Sequence, residues 1–585
     1  MQLLKPHKIF LLFAFLLAAG SGFAQTPVIA STDTTKLIQI IRANNFRQKK
    51  IDSVTTLVML AGDAVVKQGN TTLSGDSIVL NQLTGVAEVF GNVHINDADT
   101  VNTYAQYVKY IGNERMAYLK KNVKLTDGKA VLNTNELEYN LATGIAKYSK
   151  GGKVVNGQTV LTSEDAVYYS DTKDVFFKNN VHLVDAKSDM VADSLRYNTF
   201  FREAYFISPT RIKTKDGVIN TSSGTYNLDT GNAVFMDRTS FSDSTRFMSG
   251  DKIASDGKTG VIQIEGHDKL VDSVNSVTVI GGQILLDRNK NSFLATRKPV
   301  MILYRNNDST YIAADTLFSG LRKYDSTQQK IINITDTLKK ATAINVSTAV
   351  KDSLNKEKVI IDSIPTDSTK KETVINDAMA SDSLNKTFVT APTTPKDSIR
   401  YFLAFHHVRI FNDSIQAVSD SLHYSTEDST FKLFYNPVFW NDKTQVSGDT
   451  MYLFTANQKA KRLYVFNNGL VVNRTKEGLF NQIGGRTLNA YFKEGVIDYI
   501  RVKGSPAESI FYPYDDDSAY IGMNRSSGDV IDIYFVKKEL NKVKFINDVN
   551  GTLYPLKQIP EDQKFLKKFE WMDKRRPKNK LELFE

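Results

Sequence analysis

The residues able to do acid–base, nucleophilic or metal chemistry are few and scattered. The chain has seven histidines and no cysteine, which excludes thiolate ligands, disulfides and a cysteine nucleophile. His7 lies in the N-terminal leader, and His406-His407 are neighbours that would face opposite ways on a strand, poor geometry for one metal ion. Asp515-Asp516-Asp517 lacks EF-hand spacing and reads as a solvated loop. Gly281-Gly282 and Gly484-Gly485 open no helix and carry no phosphate-loop lysine, so turns or bulges are expected there. No Gly-x-Ser-x-Gly and no His-Glu-x-x-His occurs. The expectation is no catalytic residue, no cofactor and no metal: a binding or conduit protein, not an enzyme.

One charged cluster points to a ligand. Lys574, Arg575 and Arg576 lie in a tail, Lys564 to Lys580, that also carries Phe565, Phe569, Trp571 and Met572. Such a mixture suits contact with an anionic membrane surface or lipid phosphate. It equally suits a helix that closes the open end of a repeat array.

The elements that would hold these residues are strands. The 585 residues include 26 Tyr and 33 Phe, and only 13 Pro; with abundant Val, Ile and Thr, this is what half-buried pleated surfaces favour. Lys5 and Lys8, the apolar run Ile9 to Ala19 and Gly22-Phe23-Ala24 form a secretory signal, with cleavage expected after Ala24. The run is too short to span a bilayer. No cysteine follows it, so no lipoprotein anchor is expected. For an exported chain the net charge of +10 matches anionic envelope lipid, and no nucleic acid is expected. Residues 25–56 form a lead segment, partly helical by the spacing of Thr35 to Ile51, and the last 30 residues show helical spacing too.

From residue 73 onward one unit recurs. Leu73 to Leu80, a turn at Thr84-Gly85 and Val86 to Ile95 are followed by Val101 to Tyr110, a turn at Gly112-Asn113 and Met116 to Leu125. Ser74, Thr103, Thr134, Ser163, Ala192, Ser222 and Ser249 are separated by 29, 31, 29, 29, 30 and 27 residues. Asn92-Val93-His94-Ile95, Asn122-Val123-Lys124-Leu125 and Asn180-Val181-His182-Leu183 share one pattern. Each unit reads as two strands about a tight turn, with a dry and a wet face per strand. A lone hairpin cannot bury its dry face, so the units must stack. The expected fold is all-β: an elongated, stacked antiparallel β-jellyroll of two-strand repeats about 29 residues long, with a disordered insertion and a short C-terminal helix.

The insertion is Asp325 to Ser398, with ten basic and ten acidic residues; such composition cannot bury enough apolar area to offset ordering entropy. The repeat resumes at Phe405 to Phe411, Val418 to Tyr424 and Val446 to Phe454, with Ser419 and Ser447 again 28 residues apart. The expected domains are a signal peptide 1–24, the lead 25–56, repeats 57–320, the insertion 325–398, continued repeats 399–557 and a basic amphipathic tail 558–585.

Several of these motifs resemble the OstA-like (organic solvent tolerance) family, which shares the β-jellyroll of the lipopolysaccharide-transport proteins LptA, LptC and the N-terminal part of LptD. The resemblance is carried by Ser74-Gly-Asp-Ser-Ile78 and Ser447-Gly-Asp-Thr-Met451, by Gly91-Asn-Val-His-Ile95, and by the roughly 30-residue step. Phe405 to Tyr424 and Phe569 to Pro577 resemble long, two-part members. The chain departs from the family in its larger number of repeats and in lacking a large barrel.

The resemblance implies a periplasmic, outer-membrane-associated protein of lipopolysaccharide transport and outer-membrane assembly. Its partners would be lipopolysaccharide or another envelope lipid, the outer-membrane surface, and other transport proteins joined by edge-strand pairing. Lipid A acyl chains would lie in a groove between dry faces, where Ile78, Val89, Val93, Ile95, Leu125, Val181 and Leu183 are the candidates. Burying a twelve-carbon chain is worth roughly 10 kcal/mol before entropy costs, so a continuous apolar face is what a soluble carrier needs. The alternatives are a closed core without ligand, and a structural or glycan-binding β-solenoid of the cell surface, marked by a closed core and exposed aromatic rows.

Overall fold

The computed structural model describes residues 37–98, 100–305, 308–323, 398–456, 459–475, 477–515, 519–537 and 539–585. The expected signal peptide, residues 325–397 of the insertion, and Asp516-Asp517 lie outside them. The described chain is all-β, with antiparallel strands and a few short 3-10 turns near its C-terminus. It divides into two compact units, Met1–Thr210 and Arg211–Glu585. The division falls inside the 57–320 block, where the long strands give way to short ones such as Gly217–Thr221 and Ala233–Met236.

In the first unit Thr71–Asn81, Val86–Asp97, Val101–Ile111, Met116–Thr126 and Ala130–Asn140 pair in sequence order. Each pair is bent where its register slips. Val86–Asp97 gains one residue between Phe90 and Val93, opposite Tyr107 and Ala105, which is a β-bulge and turns the strand sharply. Val89 and Val93 on one strand, and Val108 and Ala105 on the other, all remain buried. Both halves of a bent strand thus face one interior.

The bend explains the Asn-Val-x-φ pattern. Gly91 and Asn92 have φ of +68° and +45°, and successive left-handed residues recur at Lys121-Asn122 and Asn179-Asn180. Asn tolerates this conformation better than most side chains. The second unit repeats the device at Gly266-His267, His406-His407 and Asn467-Asn468. His406 and His407 therefore sit at a bend and not on a regular strand. Each ring meets its own carboxylate, Nδ1 of His406 at 3.1 Å from Asp420 and Nδ1 of His407 at 2.9 Å from Asp315.

The Ser-Gly-Asp motif is the other half of that corner. The Asn92 amide donates to both Asp76 oxygens at 3.1 Å, and that of Asn468 to both Asp449 oxygens at 2.9 Å. At Ser249-Gly250-Asp251 the partner is Nδ1 of His267, 2.7 Å from Asp251. A side chain on Gly75 or Gly448 would collide with the packed Val89 or Val465. Gly281-Gly282 and Gly484-Gly485 likewise lie inside strands at such bends, Gly281 opposite Asp268 and Gly485 opposite Gly469.

Two expectations of helix fail. Gln39–Arg42 and Asn45–Lys50 are strands that pair with the two halves of Thr56–Gln68. The free edge of that bent strand supplies backbone partners, whereas an isolated helix this short is marginal. The tail forms only the 3-10 turns Leu556–Gln558, Glu561–Gln563, Asp573–Arg575 and Lys580–Leu583. Pro555, Pro560 and Pro577 break it into pieces, and its apolar residues pack on strands.

In the second unit Thr316–Lys323 pairs directly with Ser398–Phe411, from Thr316 opposite Phe405 to Lys323 opposite Ser398. The strands on either side of the insertion are therefore neighbours in one sheet.

Candidate functional site: the interior of the bent strands

The seven groove candidates converge on the interior of the first unit. Ile78 is paired with Val89, Val93 with Ala105, Ile95 with Leu73, Leu125 with Leu132, Val181 with Ala192, and Leu183 with Met190. None of the seven is more than 3% exposed. His94, Lys124 and His182 alternate with them on the outer face: His94 stacks on Tyr104 at 4.6 Å, and His182 lies 2.8 Å from Asp189. Leu125, Leu132, Val154, Tyr168 and Val175 line a cavity of about 10 Å³ beside Asp127. That is room for about one water and not for an acyl chain.

Where the two ends of the bent strands meet, polar side chains bridge strands that do not pair. The Tyr139 hydroxyl reaches Asp97 at 3.4 Å, and Arg115 reaches the same carboxylate at 3.5 Å and the Thr71 hydroxyl at 3.0 Å. One repeat on, the Tyr168 hydroxyl donates to Asp127 at 2.9 Å and Lys173 lies 3.6 Å away. Next, Arg202 donates to the Asn156 carbonyl at 2.9 Å, to Thr159 at 3.0 Å and to Asp185 at 3.3 Å. The Tyr110 hydroxyl donates to Gln68 in the same way. Burial pushes the phenols of Tyr110, Tyr139 and Tyr168 above their ordinary value, and the neighbouring carboxylates add to this at Tyr139 and Tyr168. Burial opposes ionisation of Asp127, but the Ala130 and Lys129 amides, Tyr168 and Lys173 together hold its carboxyl below the ordinary range. The rim is thus a row of ionic and phenolic latches over an apolar interior.

Sequence reasoning missed this rim. The available signal was Tyr110, Tyr139, Tyr168 and Tyr197, each 29 residues after the last. Asp97, Asp127, Asn156 and Asp185 keep nearly the same step.

The dry face of the second unit is broken at Asp268. Asp268 follows the bend at Gly266-His267, where Val93, Val123 and Val181 stand in the first unit. It is fully buried, and among the described residues no side chain hydrogen-bonds to either carboxylate oxygen. Burial pushes its carboxyl up to about 7, the charges of Glu265 and Asp251 adding to this and the Ile284 backbone amide and Arg297 opposing it.

The tail runs across the outer face of one half-sheet in this unit. Leu566 packs with Leu470, Val472, Ile510 and Met523; Met572 with Val418, Val438 and Trp440; Leu583 with Val300 and Ile302. Two buried glutamines hold its backbone. Gln482 donates to the Lys564 carbonyl at 3.0 Å and accepts from the Leu566 amide at 2.8 Å. Gln445 treats Glu570 and Met572 alike, both at 2.8 Å.

The three basic candidates are not equivalent. Arg576 is half-buried and donates to Gln416 at 2.8 and 2.5 Å and to the Asp442 carbonyl at 2.9 Å. Lys574 and Arg575 are exposed, and among the described residues the Arg575 guanidinium makes only long contacts, to the Asn436 carbonyl and the Met572 sulfur, both at 3.5 Å. Among the described residues no group of His, Asp and Glu is arranged to hold a metal ion, and no helix is long and apolar enough to cross a membrane.

A protein-family model described as OstA-like protein matches residues 35–193, the stretch that holds most of the bent-strand repeats of the first unit. Over that stretch the chain is similar to OstA-like proteins. The OstA-like segment carries Asp97, Asp127 and Asp185 of the rim and all seven groove candidates. Among solved structures, LptH from Pseudomonas aeruginosa, the LptA-homologous periplasmic component of its lipopolysaccharide transport device, is 18% identical. The match covers 26% of this chain and 96% of LptH, with a TM-score of 0.14. No curated protein sequence matches the chain.

Proposed function

We propose that this chain is an exported, periplasmic, outer-membrane-associated component of lipopolysaccharide transport and outer-membrane assembly that holds lipid A acyl chains among its bent strands. The observation that carries the reading is the apolar interior of the OstA-like segment, bridged along its rim by polar side chains. Polar latches exchange their partners for water at small net cost, about 1 kcal/mol for an ordinary hydrogen bond. Acyl chains entering the interior would offset that cost many times over. In the resting state the interior is full, so lipid entry requires the rim to part and the two halves of each strand to open about the bend.

Partners would join at the strand edges. Gln39–Arg42 and Asn45–Lys50 in the first unit, and Glu539–Ile546 and Asn550–Tyr554 in the second, pair on one side only among the described residues. Such edges accept a further strand. Arg47, Lys49 and Lys50 make the first edge basic and disfavour indiscriminate association. Lys574 and Arg575 are free to meet lipid phosphate, while Arg576 anchors the tail.

A second reading, a structural or glycan-binding β-solenoid of the cell surface, is favoured by the closed packing of the interior. Depleting the protein and locating lipopolysaccharide separates the two. Lipopolysaccharide should accumulate short of the cell surface; normal delivery would refute the transport reading.

A further inference from the structure

The second unit carries, on an outer face, two neighbouring rows of side chains that the interior does not use. One row runs Phe454, Arg462, Tyr491, Tyr499, Tyr534 and Lys542, register partner to register partner across successive strands. The adjacent row runs Lys432, Tyr452, Tyr464, Asn489, Arg501, Asp532 and Lys544. The residues between them in sequence, such as Leu463, Ile500 and Ile533, point into the core. The rings form a strip. Tyr491 lies 5.6 Å from Tyr499 at 27°, and Tyr499 lies 5.0 Å from Tyr534 at 40°. At strand spacing the first row extends about 20 Å from Phe454 to Tyr534.

The charge of the strip is one-sided. Lys432, Arg462, Arg501, Lys542 and Lys544 share the two rows with one carboxylate, Asp532, and Lys432 also meets Asp428 at 2.9 Å, five positive charges against two negative. Arg501 is held by Asp532 through two bonds of 2.8 Å, and Tyr499 donates to the same carboxylate at 2.7 Å. Arg462 is different. Its guanidinium lies 5.2 to 5.8 Å from the ring centres of Phe454, Tyr464 and Tyr491, and Nε and Nη2 both donate to Asn489. Among the described residues it meets no carboxylate, and Nη1 is left for a ligand. Tyr491 and Tyr534 are 41% and 36% exposed.

We infer that this strip is a binding site for an acidic saccharide chain. Pyranose rings present flat C–H faces that stack on exposed aromatic rings, their hydroxyls reach phenolic edges, and a carboxylate or phosphate substituent pairs with Arg462. The charge excess selects an anionic occupant. The flatness selects a sugar chain over a bilayer, because membrane-inserting aromatics must project beyond the surface, whereas these rings lie half-buried against a sheet. The site uses the face opposite the apolar interior, so it stands apart from the lipid reading.

The test uses the full chain with hexagalacturonate, maltohexaose and phosphatidylglycerol vesicles, read by calorimetry. Hexagalacturonate should bind, about tenfold or more tighter than maltohexaose, and weaken with salt. Tyr491→Ala and Arg462→Gln should each weaken it about tenfold without lowering Tm. No binding of hexagalacturonate, binding unchanged in both variants, or loss of vesicle binding alone would overturn the proposal. Should a variant fail to fold, nitration in the unaltered chain reads the same strip: hexagalacturonate should shield Tyr491 and Tyr534, and unshielded rings would overturn it.

Discussion

Asp268 shows how much a single side chain can cost in a repeat fold. A buried carboxylate without a side-chain partner must either neutralise or destabilise its surroundings. Its folded value near 7 lies above the ordinary 3.8, so the folded state holds the proton more tightly than the unfolded chain does. Between about pH 4 and pH 7 the unfolded chain ionises first, and stability falls; above pH 7 the penalty is complete and constant. Asp268→Val, which restores the residue of the other repeats, should raise stability at pH 8 by roughly 2–4 kcal/mol. The gain should shrink as the pH falls toward 4. Denaturant melts at both pH values check this, and an equal gain at both would show that ionisation is not the cause.

At the scale of elements, the tail and the bends matter most. The tail converts an outer face that is polar in the first unit into a covered apolar one, with Trp440, Val472 and Ile510 beneath it. Arg576→Ala should therefore destabilise the protein by about 1–2 kcal/mol, since it strips partners from buried Gln416. Lys574→Glu with Arg575→Glu should leave Tm within a degree or two and abolish binding to anionic liposomes. Liposome binding that survives the double change would assign the tail to packing alone.

The strands and turns were legible because alternation and Thr-Gly or Gly-Asn turns are local signals. The bends were visible as a repeated Asn but not as bends, since their cause is a partner strand that slips by one residue. Leu566, Phe569 and Met572 imitate helical spacing, and only the sheet beneath them shows why they are apolar. The seven groove candidates are all buried, a placement that period two gives from the strand alone. The rim tyrosines stayed hidden, because an inward-facing Tyr in a strand reads as ordinary core until its hydroxyl partner, some 42 residues away, is brought beside it.

For the whole molecule, the question is whether the first unit's interior is only a core or a core that admits lipid. Packing without sizeable voids makes the resting interior dense, and the latches along the rim make it openable. The deciding measurement is photo-crosslinking in cells, with a photoreactive residue replacing Val93 or Val181. Both sites lie one position beyond a bend, where opening would expose them to an entering chain. The account predicts adducts with lipopolysaccharide at both sites and none at the outward-facing His94. Absence of an adduct at both interior sites would contradict it.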